Sequence, residues 1–140
     1  MKGLRKMKIT RSDLRKKAFE LIFQTGVVDA TEVIDIERVE NPEYFKTPYI
    51  ERVVLGTVEK QQELDEVIQK YLKNGWTLKR LSKVSYAVLR LAVYEMKYED
   101  DVPGSVAINE AVEISKAYGD EKDPGFVNGI LASVIREIEK

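Results

Sequence analysis

The apolar residues of this chain recur mostly at the three- and four-residue spacing of amphipathic helices. The first such pattern follows a capping sequence that begins at Thr10, and Gly26 is predicted to end the helix. The apolar face of this helix consists of Leu14, Ala18, Leu21 and Ile22. Its more polar side carries Arg11, Arg15 and Lys16.

The middle of the chain predicts one weak helix and one long one. Val33, Ile36 and Val39 give a short second helix, which Asn41-Pro42 breaks because a residue before proline avoids the helical region. Thr47-Pro48 then offers a capping hydroxyl and a proline at the first helical position. From there a period near 3.6 residues predicts a single helix of about two dozen residues, through about residue 72. A short segment, 78–81, follows it.

The C-terminal half predicts three further helices. Ser82 caps the first, in which eleven of the fifteen residues from 84 to 98 are apolar. A helix that is apolar on all sides is buried on all sides or presents one face to a partner. The next helix is predicted from Ser105 to Tyr118, and Pro124 opens the last.

Gly129 lies within the apolar stripe of the last helix, where glycine costs about 1 kcal/mol relative to alanine. This placement suggests a close approach of another helix or of a ligand. Since no segment alternates apolar and polar residues, the sequence predicts an all-α fold of six or seven helices without a sheet. The length of 140 residues predicts a single domain, 1–140.

Composition excludes several function classes. The chain has no cysteine and no histidine, which removes disulfides, thiolate nucleophiles, Cys or His zinc sites and imidazole bases. No apolar run approaches the roughly 18 residues that span a bilayer, and residues 1–10 lack the apolar core of a secretory signal. These features predict a cytoplasmic protein that contacts no membrane.

Charge is distributed unevenly. Residues 1–17 hold eight cations against one acidic residue, a net of +7, whereas the rest of the chain has fifteen cations and twenty-three acidic residues, a net of −8. A basic arm, about residues 1–11, is thus attached to an acidic body. This distribution favours phosphate contact by the arm, and an unstructured basic terminus is the alternative interpretation.

Motifs of catalysis are missing, and the sequence predicts neither an enzyme nor a cofactor. It contains no P-loop, no dinucleotide-binding glycine motif and no nucleophile elbow. Acidic pairs lie in turns, where capping and solvation explain them better than a paired-carboxylate hydrolase would. Binding of irregular RNA by the basic arm would also need an aromatic platform. Phe126 is a candidate, and a place in the core is its alternative role.

Several stretches resemble the NusB family of transcription antitermination proteins. The C-terminal signature is VPGSVAINEAVEI at 102–114, YG at 118–119 and FVNGIL at 126–131. The middle adds LSKV at 81–84 and AVLRLAVYE at 87–95, similar to the fifth helix of that family. Near the start, Arg11, Arg15, Ala18 and LIFQ at 21–24 resemble its arginine-rich first helix. The resemblance covers nearly the whole chain and is weakest over 27–47.

The resemblance implies a fold of two helical bundles packed across each other. It also implies a factor that binds boxA RNA of ribosomal RNA operons together with the ribosomal protein NusE, within the antitermination complex of RNA polymerase. The RNA contacts it implies are Arg11, Arg15, Lys122 and Phe126, with Lys6 and Lys8 of the arm, and Lys16 of the first helix, as further cations. The resemblance also implies a NusE-binding face that contains Phe23, Ser85 and Tyr86.

Two departures from the family pattern bear on these expectations. Asp13 lowers the local positive field, and Ser85 stands where some members have an acidic residue that could pair with NusE. The RNA assignment also assumes that the arm and the loop before the last helix converge on one patch. An adaptor that binds only protein is the alternative function, and the chain could act as a monomer, a homodimer or a heterodimer.

Overall fold

The computed structural model describes residues 8–138, which form seven α-helices and no strand. Two short 3-10 helices, Pro42–Phe45 and Leu78–Arg80, lie between them. The prediction of an all-α fold is confirmed. The helices are α1 Arg11–Gln24, α2 Ala30–Glu40, α3 Tyr49–Glu59, α4 Gln61–Lys70, α5 Lys83–Tyr98, α6 Gly104–Tyr118 and α7 Asp123–Ile138. None of the helices in residues 8–138 combines the length and the apolar character that a bilayer span requires.

The predicted long helix is wrong in one respect: it is two helices. Lys60, with φ −95° and ψ 14°, separates α3 from α4. The period does not change across the break, but residues 59–63 are all polar and have no apolar side chain to hold a straight helix against the core. Pro48 takes the N-cap position of α3, and Thr47 makes no capping hydrogen bond.

The helix contacts fall into two groups around α5. The first group is α1, α2 and α3, and the second is α4, α6 and α7 with α5 among them. Helix α5 also packs against α1 and α3, so it joins the groups. Ten of its sixteen residues are buried, as expected of a helix that is apolar on all sides.

Gly129 is exposed, and a Cβ added there would meet nothing within 4 Å. The suggested close approach of another helix at this glycine is therefore wrong. The close approach lies instead at Gly56 of α3. A Cβ there would overlap the ring and hydroxyl of Tyr94 on α5.

Candidate nucleic-acid interface

The N-terminal end of α1 exposes cations on a firmly capped helix. Thr10 accepts a hydrogen bond from the Asp13 backbone N–H, and the Asp13 carboxylate accepts one from the Thr10 N–H, a complete capping box. These two hydrogen bonds hold the pKa of Asp13 below its ordinary value. The start of the helix is therefore fixed while its neighbours Lys8, Arg11 and Lys16 stay exposed. Lys6 lies outside the described residues.

Arg11 is held only by a surface ion pair. One of its terminal nitrogens lies 3.1 Å from an Asp101 carboxylate oxygen, and the two side chains are 61% and 68% exposed. Pairs this exposed contribute about 0–1 kcal/mol. The guanidinium can therefore exchange this carboxylate for a phosphate at little cost.

Arg15 occupies a different environment, because it is buried. Its Nε donates to both carboxylate oxygens of Glu95, at 2.8 and 3.1 Å, and a terminal nitrogen lies 3.3 Å from Glu110. Tyr49 also donates to Glu95, at 2.6 Å. Burial acts to lower the pKa of Arg15, but the hydrogen bond and charge of Glu95 raise it by more. Direct RNA contact, as predicted for Arg15, would require the ion pair with Glu95 to open. In the structure this pair instead anchors α1 to α5.

A second exposed arginine, which the sequence analysis missed, lies beside Arg11. Arg52 of α3 donates to both oxygens of Glu99, at 2.9 and 2.8 Å, while its side chain stays 48% exposed. Arg11 and Arg52 line the same surface cavity of about 290 Å³. The spacing of Arg52 along α3 gave no signal, since only the packing of α3 on α1 brings the two together.

The loop between α6 and α7 is fixed by Asp123. Its carboxylate accepts hydrogen bonds from Ser82, the N-cap of α5, at 3.3 Å and from Ser85 of α5 at 3.1 Å. It also accepts one from the Asp120 backbone N–H at 2.9 Å. Lys122 is exposed beside it. Phe126, one turn into α7, is half-buried and packs partly against the core. The aromatic platform and the core role proposed for this ring are thus both compatible with its position.

The two predicted RNA groups do not form one compact patch. Asp123, next to Lys122, is bound to the first turn of α5, whereas Arg11 pairs with Asp101 just beyond the last turn of that helix. A helix of sixteen residues is about 24 Å long. A ligand that contacts both groups must therefore run along most of α5.

The predicted partner residues are also divided. Phe23 is 43% exposed and lines a groove of about 330 Å³ with Val84 and Tyr118. Ser85 is buried, and its hydroxyl already donates a hydrogen bond to the Asp123 carboxylate, so it offers little to a partner. Tyr86 lies on the α4 side of α5, where it donates to Asp65 at 2.7 Å. Burial and this hydrogen bond raise its pKa to about 12.

The fold and these surfaces define a class: a helical protein that presents exposed cations and half-exposed aromatic rings around a buried central helix. Comparison with known proteins identifies a family within this class. The NusB family model matches residues 12–136. A transcription antitermination protein NusB of Bacillus subtilis is 44% identical, with 93% of this chain and 98% of that protein covered.

Solved structures give the same result. NusB of T. maritima is 38% identical with a TM-score of 0.84, and 94% of each chain is covered. A structure described as antitermination factors NusB and NusE in complex with dsRNA matches with 25% identity and a TM-score of 0.78, over 91% of this chain and 96% of that one. This chain belongs to the NusB family. The family comprises antitermination factors that act without catalysis, which confirms the prediction that the chain is not an enzyme.

Proposed function

We propose that this chain, as a single domain, binds boxA RNA of ribosomal RNA operons together with NusE. It would act within the antitermination complex of RNA polymerase in the cytoplasm. Family membership and the relative in complex with NusE and RNA support this proposal. The observation that carries it is the exposed cationic start of α1, where Arg11 is held only by a weak surface pair.

The proposed RNA path has two parts. Lys8, Arg11 and Lys16, with Lys6 as a further cation, contact phosphates at one end of α5, and Lys122 and Phe126 act at the other. A stacked strand advances about 3.4 Å along its axis per nucleotide, so about seven nucleotides would run the length of α5. Arg15 enters the proposal as the residue that positions α1, since it is buried.

NusE is proposed to bind at the groove that contains Phe23. The exposed ring of Phe23 and the neighbouring Tyr118 give an apolar anchor with a polar edge, the kind of residue that dominates interfaces. Tyr86 would join this surface only if the partner also extends across α5. NusE bound to this chain would extend the same RNA site, so RNA held by one protein meets the other at a high effective concentration, and weak contacts combine.

The test is a titration of labelled boxA RNA and of a scrambled RNA, each with and without NusE. We expect tighter binding of boxA, and tighter still with NusE. Arg11→Ala should weaken binding about fivefold or more and lower the log–log salt slope by about 0.7, the loss of one phosphate contact. Arg38→Ala is the matched control, because Arg38 is a partly exposed arginine on α2 that also takes part in surface ion pairs.

Two results would contradict the proposal. Equal affinity for boxA and scrambled RNA, with NusE bound, would favour the adaptor function. Equal effects of the Arg11 and Arg38 substitutions would show that only overall charge matters. Size-exclusion chromatography of the same samples measures whether the chain is a monomer or a homodimer.

A further inference from the structure

The connection between α4 and α5 is a second cationic segment, within a body that is acidic as a whole. Residues 73–83 contain four cations and no acidic residue. All four, which are Lys73, Lys79, Arg80 and Lys83, are exposed. In the described part of the chain, none of the four takes part in an ion pair, in contrast to Arg11, Arg15 and Arg52. Their charge is therefore available to an anion.

An aromatic ring lies in the middle of this segment. Trp76 is 39% exposed, an unusual position for so large an apolar side chain. The guanidinium carbon of Arg80 lies 4.9 Å from the centre of its ring, a cation–π contact. The ring of Phe126 lies 6.5 Å away, centre to centre, at 37°. Trp76 thus connects the cationic segment to the aromatic residue at the start of α7.

The backbone holds Trp76 in place. Its N–H donates to the Lys73 carbonyl at 2.9 Å, and its carbonyl accepts from the Gln69 side chain at 3.1 Å. Gly75 turns the chain with φ +87°, a left-handed conformation that other residues rarely adopt. A ring on a fixed turn loses little conformational freedom when a ligand stacks on it.

We propose that Trp76 and Arg80, together with Phe126, form a stacking site for an unpaired RNA base, with the exposed lysines of 73–83 on the adjoining phosphates. The inference rests on the proposed function and extends its RNA path beyond Lys122. Flat aromatic rings and a guanidinium plane bind any base through its π-face, and nearby cations bind the backbone. An apolar protein partner would not be attracted by the four unpaired cations of residues 73–83, whereas RNA phosphates would be, so the charge favours RNA.

The chain offers a built-in probe, since Trp76 is its single tryptophan. Unlabelled single-stranded boxA RNA is titrated into the full chain with NusE present, against a titration of NusE alone, while tryptophan fluorescence and its accessibility to acrylamide are followed. Stacking of a base should quench the emission and protect the ring from acrylamide. In parallel, anisotropy of labelled RNA reports binding independently of Trp76.

Substitutions supply the second readout. Trp76→Leu should weaken RNA binding about fivefold or more, and Trp76→Phe should keep most of the affinity because it keeps a ring. Arg80→Gln should weaken binding and lower the salt slope. Lys116→Gln is the control, because it removes the same charge from an exposed side chain whose ion pair is within α6. Unchanged circular dichroism and thermal unfolding exclude a merely structural effect.

The outcomes separate this inference from the function on which it rests. If anisotropy shows RNA binding while the fluorescence stays constant and Trp76→Leu binds normally, the stacking site is refuted and the proposed function stands. If the wild-type chain with NusE fails to bind RNA by anisotropy, both are refuted. Both are supported if RNA quenches the fluorescence of the wild-type chain and if affinity is lost in Trp76→Leu but not in Lys116→Gln.

Discussion

Removing the guanidinium of Arg15 tests whether this residue anchors α1 or contacts RNA. In Arg15→Met, the Glu95 carboxylate would keep its hydrogen bond from Tyr49 but lose its cation, and Glu95 is only 1% exposed. Breaking one side of a buried ion pair costs about 3–5 kcal/mol because a buried charge is left unpaired. Since the free energy of unfolding of a small domain is about 5–15 kcal/mol, we expect Arg15→Met to lose a large fraction of it.

The measurement is urea unfolding followed by circular dichroism, with equal m-values required for the comparison. Lys16→Met is the control, because it removes a cation from the neighbouring exposed position. In the double variant Arg15→Met with Glu95→Gln, the unpaired charge is gone and Tyr49 keeps an acceptor. More than half of the lost stability should therefore return.

RNA affinity decides the role of Arg15. If it only positions α1, Arg15→Met protein that is still folded should bind RNA nearly as well as the wild-type chain does. The anchoring interpretation is refuted if Arg15→Met unfolds within about 1 kcal/mol of wild type and yet loses as much RNA affinity as Arg11→Ala. That result would mean that the pair opens readily and that the guanidinium reaches the RNA.

Three further predictions follow from the fold. The pKa of Asp13 is lower in the folded chain than its ordinary value of 3.8. The ionised carboxylate therefore stabilises the fold fully above pH 3.8, and this contribution is lost as the pH falls through the lowered pKa. Asp13→Asn should flatten this part of an acid-unfolding curve. Gly56→Ala should destabilise by about 1–3 kcal/mol despite its better helix propensity, because the new Cβ meets Tyr94, whereas Gly129→Ala should stabilise by up to about 1 kcal/mol in thermal unfolding. Phe23→Ala should weaken NusE binding in calorimetry and leave the free energy of unfolding within about 0.5 kcal/mol of wild type. A larger loss of stability would assign the ring to the core.

Most of the helices and two of their caps could be predicted because their signals are local, although the predicted cap at Thr47 does not form. Thr10 and Ser82 cap α1 and α5 through their side chains, as the sequence indicates. The composition of α5 also predicts its burial, since no face is polar enough for solvent. The break at Lys60 was missed because the periodicity continues across it, although the polar run 59–63 was a readable signal.

The site was predicted less well because it depends on packing between distant segments. Arg15 lies three and four residues before Ala18 and Phe19, on the buried face of α1, and this spacing could have signalled its burial. Its partner Glu95 is an acidic residue in a mostly apolar helix, which was the matching clue. The cationic segment 73–83 was overlooked because the charge of everything after residue 17 was summed as one acidic body.

The central position of α5 has a consequence for mutational scanning. Because its side chains pack against α1, α3, α4, α6 and α7, most substitutions there reduce the amount of native protein in the cell. A screen scored by growth alone would therefore rank α5 as the most sensitive element, whatever it binds. Variants that separate abundance from activity should concentrate instead in the exposed first turn of α1 and in the connection between α4 and α5.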